Sequence, residues 1–98
     1  MLVAVERIDL RIPGCGSLKE KRHVVKTLTT GLRTKFPVAV AEVDHHDLWQ
    51  RTAIGVAAVG GKGYHLKRVL HEVERFVDVH PGVEVIDRDV SFHDPEDA

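Results

Sequence analysis

The spacing of apolar residues in this chain switches between a period of two and a period near 3.6, and the order of the switches leaves few folds open. From Leu2 to Ile12 the period is two. Leu2, Ala4, Ile8, Leu10 and Ile12 share one face of an extended chain, with Arg7, Asp9 and Arg11 on the other. Pro13-Gly14-Cys15-Gly16 then supplies turn chemistry. Ser17 with Glu20 forms a capping box, in which hydroxyl and carboxylate satisfy opposite unpaired amides at a helix start. The helix predicted from Leu18 places Leu18, Val25, Leu28 and Leu32 within roughly 80° on a wheel of about 100° per residue. Gly31 weakens this helix without ending it, and Phe36-Pro37 stops it.

Two strands follow, Val38 to Val43 and Thr52 to Val59, joined by a polar link around His45-His46-Asp47 that a hairpin would accommodate. Gly60-Gly61-Lys62-Gly63 breaks the sheet before a second helix, whose Leu66, Val69, Leu70, Val73, Phe76 and Val77 line one stripe. Pro81-Gly82 closes that helix, and Val83 to Phe92 reads as a last strand. The order β-α-β-β-α-β predicts an α+β, ferredoxin-like domain: a four-stranded antiparallel sheet with two helices on one face. A chain of 98 residues suits one such domain, expected over residues 1–93, with residues 94–98 an acidic tail prone to fraying.

Composition narrows the function classes. No apolar run reaches the roughly 20 residues of a membrane span, and the N-terminus lacks a signal-peptide core, so a soluble, cytoplasmic protein with no membrane partner is expected. Cys15 is the single cysteine, which excludes an internal disulfide and a cysteine-based metal site. A pI near 6.6 argues against indiscriminate nucleic-acid binding, which rests on many phosphate contacts. The charge is nevertheless segregated. Lys19, Lys21, Arg22, Lys26, Arg33 and Lys35 face only Glu20 between Leu18 and Lys35, which leaves the rest of the chain acidic.

Four of those cations, Lys19, Arg22, Lys26 and Arg33, fall within about 60° of one another, on one flank of the apolar stripe. Such a row beside a helix N-terminus can follow a phosphate backbone, although a solvated face would carry the same charges. Lys21 and Lys35 project nearer the apolar side, where their stems would lie along it with the ammonium in water.

Trp49, the only tryptophan, and Arg51 suit an interface anchor or a base-stacking platform, and equally a plug at one end of the sheet. Asp44 and His45-His46-Asp47 are competent ligand types, but adjacent residues of extended chain point apart, so a polar loop fits better than a metal centre. Gly60-Gly61-Lys62-Gly63 lacks the spacing of a phosphate loop, and no cofactor is expected. No base accompanies Cys15, and no catalytic constellation is present. The first and third strands also lack the aromatic residues of an RNA-recognition motif.

With helices on one face only, the other face should be polar, yet Ala53, Gly55, Ala57 and Val59 alternate with Ile54, Val56 and Ala58. Val3 and Val5 add to the surplus. Strands apolar on both sides are normally covered on both, so a homo-oligomer, with a dimer favoured, is expected through the open face.

Pro13, Ser17-Leu18-Lys19-Glu20-Lys21-Arg22, Val40-Ala41-Glu42-Val43-Asp44 and Asp47-Leu48-Trp49-Gln50-Arg51, taken in this order, resemble the YlxP-like family of small bacterial proteins of unknown function. The resemblance runs from Leu2 to about Phe92 and implies a ferredoxin-like fold. It also implies a gene neighbourhood of transcription elongation, translation initiation and ribosome maturation, including ribosome-binding factor A, and it carries over no catalytic residues. His46 stands where the family often has Gln, and Gly60-Gly61 where a more polar turn is usual. The resulting expectation is a non-catalytic accessory factor that contacts RNA or a ribosomal particle through Lys19, Arg22, Lys26 and Arg33, with Trp49 and Arg51 as further contacts. The alternatives are a homo-oligomeric regulatory or scaffold module with a small-molecule or protein ligand at the seam, and an enzyme using His45 to Asp47.

Overall fold

A computed structural model describes residues 1–96; Asp97 and Ala98, the end of the expected acidic tail, lie outside the described residues. The elements run β1 (Leu2–Arg11), α1 (Leu18–Lys35), β2 (Ala39–Asp44), β3 (Arg51–Gly60), α2 (Gly63–Asp78) and β4 (Glu84–His93). The four strands form one antiparallel sheet in the order β2-β3-β1-β4. This is the ferredoxin-like α+β fold predicted from the apolar periods. Among the described residues, no helix is long and apolar enough to cross a membrane.

The capping box forms with a variation. Glu20 N–H donates to Ser17 Oγ at 3.1 Å, while the Glu20 carboxylate accepts from Gly16 N–H at 2.8 Å, one residue before the cap. The helix ends at Lys35, and Phe36 N–H closes the last turn on the Leu32 carbonyl. Both helices lie on the face of the sheet carrying Ala4, Ile8, Leu10, Ile54, Val56 and Ala58. Leu28 and Leu32 of α1 and Leu66, Leu70, Val73 and Val77 of α2 are buried against it. Each such side chain contributes roughly 1.5–3 kcal/mol by leaving water. Gly31 has a role that helix propensity does not reveal. A Cβ there would stand 2.8 Å from Phe76 Cζ, so the glycine admits α2 to α1.

Pairing is regular along β1 and β3, from Leu2 opposite Gly60 to Arg11 opposite Arg51. Two irregularities re-aim side chains at the sheet edges. One lies in β2 between Glu42 and Asp44, and the other opposite Asp9 and Leu10, where Ile86 is the extra residue of β4.

Candidate functional site

A groove of about 390 Å³ runs between α1 and the β2 edge, and its lining includes Arg22, Lys26 and Arg33. The helical wheel thus brings three of the four predicted cations to one cleft. Lys19 is exposed but lies outside the groove lining. Among the described residues, Lys19, Arg22 and Lys26 have no acidic partner within salt-bridge distance. Arg33 is partly committed, its guanidinium donating to the Val40 carbonyl at 3.2 Å and so covering a backbone acceptor of the edge strand.

Lys21 departs from the expectation of a lysine with its head in water. It is 1% exposed, and its ammonium forms a 3.0 Å ion pair with Glu42 and donates to the carbonyls of His45 and His46. Thr52 Oγ1 donates to the same Glu42 carboxylate. The reason lies in tertiary packing: α1 lies over the end of β2, so a lysine on the apolar flank meets a carboxylate and two turn carbonyls instead of solvent. A buried ammonium is tolerable only with such compensation, and removing one partner of a buried pair costs about 3–5 kcal/mol. Lys21 is therefore a tie between helix and loop. Lys35 behaves as predicted, its ammonium passing 5.5 Å from the Phe76 ring centre and 5.9 Å from that of Phe36.

The loop that Lys21 holds, residues 45–50, joins β2 to β3, and His45 takes a left-handed conformation with φ of 62° to turn it. Leu48 and Trp49 stand out from it, each 49% exposed. Trp49 does not plug the sheet. It borders a shallow depression shared with Asp47, Leu48, Gln50 and Arg51, and Asp47 also lines the cationic groove, so the two surfaces adjoin.

Arg51 turns the other way, to the open face of the sheet. There Arg7 donates to Asp9 at 3.0 Å and to Asp44 at 3.1 Å, while Arg51 and His45 approach Asp9 at 3.9 and 3.7 Å. The Arg7 hydrogen bonds hold the Asp9 and Asp44 carboxyls below the usual carboxylate range and push the Arg7 guanidinium up. Ala53, paired between Asp9 and Asp44, is fully buried. The apolar surplus read from the strands lies in the other half of the face, in a hollow of about 480 Å³ around Val5, Ala39, Ala41, Val43 and Ala57, with Val59 exposed outside it.

Glu6 is the residue that sequence reading passed over. It continues the alternation between Ala4 and Ile8 on the helix-covered face, is 1% exposed, and among the described residues neither carboxylate oxygen has a donor. Burial, then the neighbouring Glu74 carboxylate, pushes it up to about 8, so near neutrality it holds a proton. Its position in phase with the core residues was the available signal.

Among the described residues, no three His, Cys, Asp or Glu side chains converge as a metal site would require. Cys15 is buried, with its thiol directed to the Ser17 carbonyl at 3.4 Å. The arrangement sets unpaired cations beside an exposed aromatic face. Comparison with known proteins agrees in extent with the fold. Uncharacterized protein YlxP of Bacillus subtilis (strain 168) is 42% identical over 83 residues, which span 85% of this chain and 90% of that protein. A family model described as a protein of unknown function (DUF503) matches residues 3–90, nearly the whole ferredoxin-like domain, and the chain belongs to that family.

Proposed function

We propose that this protein is a non-catalytic accessory factor that lays single-stranded RNA, free or on a ribosomal particle, along the groove between α1 and β2. The observation that carries the reading is the adjacency of unpaired cations to an exposed tryptophan. Among the described residues Arg22 and Lys26 have no acidic partner, and their groove adjoins the half-exposed Trp49. Single-strand binders combine these two elements, charge that follows phosphates and an aromatic face on which a base stacks. Glu42 offers little opposition in the groove, because Lys21 and Thr52 already hold it. Asp47, at the junction, disfavours a phosphate there, so a base would pass over it to reach Trp49.

Trp49 is the only tryptophan, so its fluorescence reports directly on stacking. Titration with a single-stranded oligoribonucleotide should quench it. Neutralising three to four phosphates should weaken binding roughly 20- to 50-fold between about 50 and 200 mM salt. Arg22→Glu and Lys26→Glu should each weaken binding strongly at low salt. Affinity indifferent to salt and to both substitutions would remove this groove from the function.

The hollow on the open face favours a second reading, a scaffold module holding an apolar ligand or a second copy there, since Val5 and Val43 remain 42% and 48% exposed around it. Salt-insensitive association would favour that reading.

A further inference from the structure

The two edges of the sheet are protected very differently. β2 is six residues long and has its Val40 carbonyl covered by Arg33. β4 is ten residues long, nearly all exposed, and contains neither lysine nor proline between Glu84 and His93. On its helix-facing side Val90 and Phe92 remain 40% and 41% exposed, because α2 covers the edge strand incompletely. Past the irregularity at Ile86 the edge runs regular and partly apolar from Asp87 to His93, and such an edge is a template for another strand unless something blocks it. Local cover comes from Asp87, whose carboxylate accepts from Arg88 N–H at 2.9 Å, while the Arg88 guanidinium is tied to Asp78 of α2.

We infer that β4 pairs antiparallel with β4 of a second copy of this chain about a dyad at Val90, joining two sheets into one of eight strands. The register follows from the strand itself. The extra residue Ile86 interrupts pairing with β1, and the strand ends at His93, so the regular stretch is residues 87–93 and its midpoint is Val90. Side chains alternate as β1 dictates: Arg88, Val90 and Phe92 lie on the helix side, and Asp87, Asp89, Ser91 and His93 on the open side. With the dyad at Val90, Asp87 of each copy faces His93 of the other, and Asp89 faces Ser91. On the helix side Val90 meets its own copy, and Arg88, ion-paired with Asp78 of its own chain, lies across from Phe92, whose ring Lys67 already approaches at 5.9 Å.

Neighbouring registers fit less well. A dyad at Arg88 sets Arg88 against itself and Asp87 against Asp89 twice, and a dyad at Asp89 opposes that carboxylate to its own copy; like charges directly opposite are destabilising. A dyad at Ser91 avoids like charges, but pairs only residues 89–93 within the strand before reaching Pro95. The longest register without a like-charge pair is the one at Val90. This surface is separate from the groove between α1 and β2, so the inference does not rest on RNA binding.

The test uses the full chain. Sedimentation equilibrium should give a species of twice the 10.9 kDa monomer. Ser91→Lys, opposite Asp89 of the copy, should tighten dimerisation, and Ser91→Asp should loosen it, each by roughly 2- to 30-fold for two symmetric contacts. Val90→Cys in a Cys15→Ser background should oxidise to a covalent dimer, since directly opposed residues lie within disulfide reach. Circular dichroism of each variant verifies that the monomer fold is retained. A monomer at every concentration overturns the inference. So does loosening by both Ser91 substitutions, which a dyad at Ser91 would give. So does a dimer without the Val90→Cys cross-link, which packing through the open face would give.

Discussion

Glu6 and Lys21 are two buried charges resolved in opposite ways. Lys21 keeps its charge because Glu42 and two loop carbonyls receive it. Glu6 has no donor, so burial keeps it protonated instead. The folded state therefore binds a proton that the unfolded state releases at about 4.5. Stability from this group is complete below that pH, falls as pH rises from about 4.5 to about 8, and levels off above. At roughly 1.4 kcal/mol per pH unit, the loss amounts to a few kcal/mol. Glu6→Gln should be more stable than the parent at pH 9 and close to it at pH 4, as measured by urea unfolding at the two pH values. An equal difference at both would show that Glu6 ionises freely. The alternation of β1 placed this side chain on the core face, but whether a donor waited there was decided by α2 and β4.

Among the elements, α1 shows how packing overrides propensity. An alanine in place of a mid-helix glycine ordinarily gains about 1 kcal/mol. At Gly31 the new Cβ would meet Phe76 at 2.8 and 3.3 Å, and Phe76 is itself held edge-on by Phe36. Overpacking costs about 1–3 kcal/mol, so Gly31→Ala should be net destabilising by about 1 kcal/mol and lower Tm by several degrees. In a Phe76→Leu background the same substitution should become neutral or stabilising, a coupling that a double-mutant cycle measures. An unchanged penalty would place its cause elsewhere. The limits of α1 were legible in Ser17, Glu20 and Phe36-Pro37, because capping and proline act over one turn. Its contact with Phe76, 45 residues later, was not.

At the scale of the whole molecule, the strand order β2-β3-β1-β4 puts the cationic groove at one edge and the proposed dyad at the other. The two surfaces share no side chain, so their energetics should add. Lys26→Glu should leave the monomer–dimer constant unchanged, and Ser91→Asp should leave the RNA affinity of each monomer unchanged, as read by sedimentation and by Trp49 fluorescence. A dimer of the proposed kind would carry one groove at each end of the joined sheet, and if the groove binds RNA as proposed, a long RNA reaching both would gain through effective concentration.

Element order, the cationic row and the family are legible along the chain, since apolar period, capping, charge spacing and motif are properties of sequence neighbours. Tertiary packing makes Lys21 a buried tie while Arg22 and Lys26 stay free, and sets Arg51 in the open-face cluster with Trp49 half-exposed. It also decided that half of the open face is ionic. Each of these depends on which distant partner lies within about 4 Å, and a screened or buried charge is worth what that partner makes it.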